Sequence, residues 1–139
     1  MNKRPIIIIE DDIDDQEIIT QVLETMGISN KPVFFNNGKE ALHFLRTEDV
    51  HPFVILSDVN MPIMNGFELR IQIAQDEHLR KKSIPFIFFT TYANAKSVET
   101  AYDLTVQGYF TKPADISSLT SMLKAIMEYW KYCIHPNTQ

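Results

Sequence analysis

The sequence predicts an α/β protein, a doubly wound parallel sheet of five strands with five helices distributed over both faces. Three observations favour this class. Short apolar runs recur five times along the 139 residues, each run is continuous rather than alternating, and stretches with helical periodicity separate them. Continuous runs of this kind are typical of strands buried on both faces, and parallel pairing of successive strands requires a crossover between them.

The five apolar runs are the predicted strands. They are rich in β-branched and aromatic residues, turn residues bound them, and they cover 6–9, 33–35, 53–56, 86–89 and, more weakly, 109–110. A short apolar run with these features indicates a buried strand. The intervals leave room for a helix after each strand, so we expect five successive βα units.

The intervening stretches are predicted to be helices because their apolar residues recur on one face. The first begins near Asp14, and Gly27 is placed to end it. The second begins at Gly38, and the third and fourth cover 66–74 and 95–104. Together with a last helix near the C-terminus, they supply the two helical layers of the predicted fold.

The last predicted helix completes a single domain. Asp115 is placed to cap it. Apolar residues at helical spacing form its expected buried stripe: Ile116, Leu119, Leu123, Ile126 and Trp130. The length suits one domain, for which about 100–200 residues is usual. We expect one domain over 1–139, with a core of about 5–130 and a short tail over 131–139 that carries no output domain.

Negative charge is concentrated near the N-terminus. The chain has 18 acidic and 13 basic residues, a formal charge of −5, and six of the acids lie within 10–17: Glu10, Asp11, Asp12, Asp14, Asp15 and Glu17. The lack of a basic stripe argues against direct nucleic-acid binding. A single cysteine and the lack of an apolar segment long enough for a signal peptide or a membrane helix predict a cytoplasmic protein.

Polar and charged side chains follow four of the predicted strands. Acids 10–12 follow the first, Asp58 the third, Thr90 the fourth and Lys112 the fifth. Ligands of doubly wound sheets bind beyond the carboxyl ends of the strands, so these side chains should converge. Carboxylates held together without a cation repel one another. Mg²⁺ would relieve that repulsion, because it prefers oxygen ligands and uses one or two carboxylates.

Asp58 is the candidate nucleophile of this group. It ends an apolar strand and precedes a loop that Pro62 and Gly66 would hold in place. A carboxylate held beside a metal ion can attack phosphorus and form an acyl phosphate. Thr90 would supply a hydroxyl group, and Lys112 a compact positive charge suited to a phosphoryl oxygen.

Over about residues 5–130 the chain resembles the receiver domain of two-component response regulators, because four segments match that family and occur in the family's order. The matching segments are 6–12, 58–62 with 65–66, 85–90 and 108–113. The resemblance implies the flavodoxin-like receiver fold and a Mg²⁺-dependent phosphorelay protein. It further implies a signalling protein that catalyses its own aspartyl phosphorylation and dephosphorylation, rather than an enzyme that acts on separate substrates.

The resemblance also implies a role for each side chain in phosphoryl transfer. Asp58 would be the phosphoacceptor, Lys112 the phosphate-binding lysine and Thr90 the switch hydroxyl. Tyr109 matches the switch aromatic of the family, whose ring changes exposure with phosphorylation. A cis Lys112–Pro113 peptide bond is expected on the same basis.

The implied metal site uses acids from two strands. Asp11 and Asp58 would bind Mg²⁺ directly, together with the backbone carbonyl of Asn60, and Glu10 would act through water. Asp12 is the alternative to Glu10 as the second acid. The remaining acids of the run are interpreted as the first turn of a helix, where the helix dipole favours negative charge: Asp14, Asp15 and Glu17.

Position 91 and the pair at positions 105–106 depart from the family pattern. Thr91 stands where the family usually has alanine or glycine, and its side chain is expected to narrow access to Asp58. Thr105-Val106 replaces the usual Gly-Ala pair, so the preceding helix is expected to end without a residue suited to a left-handed cap. Both departures lie outside the proposed catalytic set.

The leading hypothesis is a phosphorylatable switch that receives its phosphoryl group from a sensor histidine kinase or phosphotransfer protein. The fourth predicted helix, the fifth strand and the last helix would bind a downstream protein, and a homodimer is possible. One alternative is a binding module that signals without phosphorylation. Another is an aspartyl phosphatase of the haloacid-dehalogenase kind, but Asp58-Val59-Asn60 lacks the second acid of its D-x-D pattern.

Overall fold

The computed structural model describes residues 4–91 and 93–135. Its five strands are β1 (Ile6–Ile9), β2 (Pro32–Phe35), β3 (Val54–Ser57), β4 (Phe86–Thr90) and β5 (Gly108–Thr111). They form one parallel sheet in the order β2-β1-β3-β4-β5. The predicted fold class is confirmed. The winding reverses between β1 and β3, and this is where a doubly wound sheet opens a crevice for ligands.

Six helices cover the two faces of the sheet in the described part of the chain. They are α1 (Ile13–Thr25), α2 (Gly38–Thr47), α3 (Gly66–Gln75), α4 (Glu77–Lys81), α5 (Ala95–Asp103) and α6 (Ile116–Tyr132). None of them is both long enough and apolar enough to cross a membrane. The helix predicted over 95–104 is therefore α5, and the last predicted helix is α6.

The short helix α4 was not predicted, so the expected number of five helices is wrong. Asp76 ends α3 and also caps α4, because its carboxylate accepts a hydrogen bond of 3.1 Å from the backbone N–H of Leu79. A helix of five residues is too short to show a periodic apolar pattern. It lies between α3 and β4 and leaves the order of the strands unchanged.

Strand β1 explains why the apolar runs are continuous. All four of its isoleucines are at most 2% exposed. Ile6 and Ile8 pack in the core between the sheet and helices α1 and α6. Ile7 and Ile9 pack in the other core, together with residues of α2 and α3. Because successive side chains of a strand point to opposite faces, a strand covered on both sides needs apolar residues at every position.

The buried stripe of α6 is largely as predicted, with one error at each end. Leu119, Leu123 and Ile126 are buried, but Ile116 is 59% exposed in the first turn of the helix. Met127 is buried instead, one turn after Leu123, and Trp130 is only partly buried against the core. Ile116 lines an open cavity beside Ile18 and Phe89 instead of packing in the core, so the buried stripe begins at Leu119.

The C-terminus of α5 ends in a left-handed residue that is not glycine. Thr105 adopts φ +60°, the left-handed conformation that usually favours glycine. Arg70 of α3 donates from Nε to the carbonyl of Leu104 at 3.0 Å and from Nη2 to Oγ1 of Thr105 at 3.0 Å. A side chain from a neighbouring helix thus stabilises a C-terminus that the sequence predicts to be poorly capped.

Candidate functional site

The carboxyl ends of β1 and β3 bring three acids together. Glu10, Asp11 and Asp58 each offer a carboxylate oxygen, and these oxygens lie within 4.8 Å of one another. We call these three residues the acidic corner. Glu10 is buried, Asp58 is half-buried and Asp11 is exposed. The predicted convergence of these acids is present, and the donor set consists of the hard oxygen ligands that Mg²⁺ and Mn²⁺ prefer.

Strand register explains why acids that are distant in sequence meet. Ile9 pairs with Ser57 across the parallel ladder, so the residues after them leave the sheet side by side. The backbone N–H of Asp58 continues the ladder by donating to the carbonyl of Ile9 at 3.0 Å. Glu10 and Asp58 are therefore placed by the two central strands themselves.

Asp12 has a different task from the acidic corner. Its Oδ1 atom accepts hydrogen bonds from the backbone N–H groups of Asp14 at 2.9 Å and Asp15 at 3.2 Å. It is the N-cap of α1, and a helix begins with N–H groups that need such an acceptor. Of the two candidates for the second acid, Glu10 lies in the acidic corner and Asp12 does not.

Asp58 is held by donors on its own loop and on the neighbouring strand. Its Oδ1 atom accepts from the backbone N–H of Val59 at 2.7 Å and from the hydroxyl of Thr90 at 2.6 Å. Gly66 lies against this loop, and a Cβ atom at that position would be 2.3 Å from the carbonyl oxygen of Asp58. The loop therefore needs a residue without a side chain at position 66, and the predicted role of Gly66 in holding it stays a prediction.

Lys112 brings the only cation that contacts the acidic corner in the described part of the structure. Its side chain is 9% exposed, and Nζ donates to Oε1 of Glu10 and, at 3.4 Å, to Oδ2 of Asp58. Burial lowers the pKa of Lys112. The hydrogen bond with Glu10 and the negative charges of Glu10 and Asp58 together raise it by more than burial lowers it. The net shift is upward, so the ammonium stays protonated at neutral pH.

Asp15 also contacts Lys112, which the sequence did not predict. Its Oδ2 atom lies 3.1 Å from Nζ, although Asp15 was interpreted only as part of the first turn of α1. No local pattern marks this role, because Asp11 and Asp12 precede α1 and an acid in its first turn is expected from the helix dipole alone. The contact joins residues that are 97 positions apart, and such a distance cannot be read from local spacing.

Glu10 is the most buried of the carboxylates around Lys112. Burial raises the pKa of Glu10, while its hydrogen bonds with Lys112 and with the backbone N–H of Asp12 oppose that increase. The net direction is upward. A cation close to Glu10 is thus needed to keep this carboxylate ionised at low cost.

The expected cis bond before Pro113 is wrong for this structure. The described residues contain no cis peptide bond, so Lys112–Pro113 is trans. The trans isomer is intrinsically favoured before proline by about 0.5–1 kcal/mol.

Thr91 is exposed and lines a cavity of about 330 Å³ together with Asp15 and Lys112. Its effect on access to Asp58 stays a prediction.

Tyr109 links β5 to α5. Its hydroxyl group shares a hydrogen bond of 3.1 Å with Oγ of Ser97, and its ring packs on Phe88 with centroids 5.8 Å apart. Ser97 is buried and closes the capping box of α5 with Asn94. The sequence singled out Tyr109 but not Ser97, since nothing in the sequence shows that the single serine of α5 contacts a residue of β5.

The fold and the strand-end residues define a receiver domain of two-component signalling. Residues 6–124 match the family model of the response regulator receiver domain, and the chain belongs to this family. It is 30% identical over 130 residues to the response regulator Rcp1 of Synechocystis sp., covering 90% of this chain and 87% of that protein. Receiver domains accept phosphoryl groups from histidine kinases and act on downstream targets.

Solved structures of similar proteins have the same architecture. The phosphorylated cyanobacterial phytochrome response regulator RcpA superposes with a TM-score of 0.86 at 30% identity, covering 97% of this chain and 99% of that chain. The Mn²⁺-bound form of Rcp1 has a TM-score of 0.82 at 29% identity, covering 96% and 99%. A phosphorylated form and a metal-bound form are thus both known among proteins similar to this one.

Proposed function

We propose that this protein is a response regulator that accepts a phosphoryl group on Asp58 from a histidine kinase or a phosphotransfer protein. The observation that carries the proposal is the set of groups around this carboxylate. Thr90 donates to Oδ1 of Asp58 at 2.6 Å, and Nζ of Lys112 lies 3.4 Å from Oδ2. A nucleophile, a hydroxyl group and a cation from three different strand ends therefore meet at one point.

In the proposed reaction, a carboxylate oxygen of Asp58 forms a bond to phosphorus while the P–N bond of a phosphohistidine breaks. The leaving imidazole nitrogen keeps the bonding electron pair and takes a proton from solvent. No general base is needed, because the ionised carboxylate carries no proton. Lys112 stabilises the negative charge on the transferring phosphoryl oxygens, which is the main task of a protein in phosphoryl transfer.

The acidic corner is the proposed Mg²⁺ site. Asp11 and Asp58 would bind the ion directly, with the backbone carbonyl of Asn60, and Glu10 would act through water. The oxygen-only donor set and the 4.8 Å grouping support this proposal, as does the Mn²⁺-bound form of Rcp1. When bound, the ion would neutralise the carboxylates and polarise the phosphoryl oxygens.

The proposed output is a change in the face formed by α5, β5 and α6. Phosphorylation would draw the hydroxyl of Thr90 from Asp58 to a phosphoryl oxygen, and Tyr109 would repack, which shifts an existing equilibrium between two states. Tyr129 and Tyr132 on α6 are 64% and 80% exposed, and these rings suit a partner protein or a second copy of the chain. Action in the cytoplasm stays a prediction.

Phosphoryl acceptance is tested by intact-mass measurement after incubation with acetyl phosphate and Mg²⁺. Wild type should gain the mass of one phosphoryl group, and Asp58→Asn should gain none. Asp49→Asn is the matched control, because Asp49 is an exposed acid outside the site. No added mass in wild type, or undiminished labelling of Asp58→Asn, would contradict the proposal. Omission of Mg²⁺ should abolish labelling.

A further inference from the structure

Lys112 has one more carboxylate partner than the proposed transfer uses. Besides Glu10 and Asp58, its Nζ atom donates to Oδ2 of Asp15 at 3.1 Å. We propose that Asp15 is a positioning residue, which holds Lys112 in the unphosphorylated protein and releases it when a phosphoryl group reaches Asp58. This inference rests on the proposed function and adds a residue that tunes how readily the phosphorylated state forms.

The number of donors on Lys112 creates a competition. A lysine ammonium group has three N–H bonds, and three carboxylates surround this one. The side chain is only 9% exposed, so water has little room around it. A first phosphoryl oxygen on Asp58 can take over the N–H that Asp58 accepts, but a second one that binds Lys112 must take a donor from Glu10 or Asp15.

Exposure indicates which carboxylate gives up its donor. The side chain of Glu10 is 3% exposed, and a charge left unpaired there would be strongly destabilising. Asp58 is the phosphoacceptor and stays beside Lys112 through its phosphoryl group. The side chain of Asp15 is 36% exposed, so water can replace Lys112 as its partner. Asp15 is the partner that is released at the lowest cost.

Asp15 also opposes the phosphorylated state through its charge. Asp15 and Asp58 contact the same ammonium group, so a phosphoryl group on Asp58 adds negative charge close to Asp15. The backbone N–H of Asp15 donates to Asp12 at 3.2 Å, within the capped first turn of α1. The carboxylate is therefore presented from a fixed turn, and replacing it with an amide leaves the cap unchanged.

Asp14 provides a matched control for Asp15. It carries the same charge in the same turn, and its backbone N–H also donates to Asp12, at 2.9 Å. Its carboxylate is exposed and is not among the three that Lys112 contacts. A change that depends on the general charge of the helix start should affect both variants equally, whereas competition for Lys112 should appear only at Asp15.

The test is the affinity for beryllofluoride, a non-covalent phosphoryl analogue, at saturating Mg²⁺ with tryptophan and tyrosine fluorescence as the readout. Asp15→Asn should bind about five- to tenfold more tightly than wild type, a typical size for coupling between groups. Asp14→Asn should stay within about twofold of wild type, and the difference should persist in 0.5 M salt, where the Debye length is only about 4 Å. Asp15→Glu, which keeps the charge, should bind like wild type.

Each outcome decides the inference. Equal affinities for Asp15→Asn and Asp14→Asn would overturn it while binding by wild type supports the proposed function. Weaker binding by Asp15→Asn would also overturn it, because Asp15 would then be holding Lys112 in its productive position. No binding and no phosphoryl labelling of wild type would overturn the proposed function and this inference with it. If thermal melting shows Asp15→Asn to be unfolded, Asp15→Ser must show the same tighter binding.

Discussion

Strands β1 and β5 contribute opposite charges to one site from contrasting surroundings. β1 pairs with β2 on one side and β3 on the other, and its residues are at most 2% exposed. β5 pairs only with β4, and its last three residues are half-buried or exposed. The carboxylate of Glu10 is thus fixed by the centre of the sheet, whereas Lys112 and Tyr109 lie at an edge. The proposed repacking of Tyr109 would therefore take place at the edge of the sheet.

The largest expected effect breaks the charge pairing between the two strands. Lys112→Met should lower the free energy of unfolding by about 3–5 kcal/mol in metal-free buffer, because Glu10 would be left buried without a cation. Urea denaturation measures the loss, and Mg²⁺ should restore part of it by binding the folded state. Lys124→Met, at an exposed lysine of α6, is the control. Equal losses in the two variants would show that the pairing is not stabilising.

The second-largest expected effect tests how rigid the loop after the central strand β3 is. Gly66→Ala should cost about 1–3 kcal/mol, because overpacking displaces the loop that carries Asp58. The steric cause is the 2.3 Å separation between a new Cβ atom and the carbonyl oxygen of Asp58. Ala95→Gly makes the reverse change at the exposed first residue of α5 and is the control. It should lower the free energy of unfolding by less than Gly66→Ala does. Unchanged stability and labelling in Gly66→Ala would mean that this loop tolerates displacement.

A smaller effect is expected at the edge of the sheet, where β5 contacts α5. Tyr109→Phe should lower the free energy of unfolding by about 0.5–1.5 kcal/mol, since it removes one side of the hydrogen bond shared with Ser97. Ser97→Ala should cost more, because it also removes the capping-box hydrogen bond from the backbone N–H of Asn94. The double variant should lose less than the two single losses combined, which a double-mutant cycle measures. Strict additivity would show that the 3.1 Å contact carries no coupling between β5 and α5.

The smallest effect comes from the opposite end of the sheet and serves as a reference. His135 is 5% exposed and packs near Trp130 and Phe53, which precedes β3. Burial, and to a lesser extent the charge of Arg4, lower the pKa of His135. As pH falls through the ordinary histidine value of about 6.5, the unfolded chain takes up the proton first. The contribution of neutral His135 to the free energy of unfolding should therefore be complete above that pH and should decline below it.

Urea denaturation at pH 7.5, 6.5 and 5.5 measures this decline. His135→Phe should show a shallower decline than wild type, and Mg²⁺ should not alter that difference, since His135 lies away from the carboxyl ends of the strands. His43→Gln is the control, because His43 is exposed. Identical pH dependence in wild type and His135→Phe would exclude His135 as the cause.

The strands were predicted closely, and the errors share a physical cause. Each predicted strand overlaps an observed one. The three central strands, β1, β3 and β4, are buried throughout, and such a strand is recorded locally as a continuous apolar run. The two edge strands, β2 and β5, are less buried, and the weakest prediction, 109–110, falls on β5. Helix α4 was missed because five residues carry no periodic signal. Ile116 was predicted to be buried because periodicity gives the face of a helix but not the point at which its neighbour ends. Local patterns therefore predict element type better than the extent of packing.

The sequence by itself determined the fold class, the family resemblance and the strand ends that carry Asp58, Thr90 and Lys112. Those features depend on local patterns and on the general geometry of a doubly wound sheet. Only the tertiary structure decided that Glu10 joins the acidic corner, that Asp15 contacts Lys112 and that Ser97 binds Tyr109. Each of these depends on strand register and on the direction of individual side chains, and both are set by packing between elements that are distant in the chain.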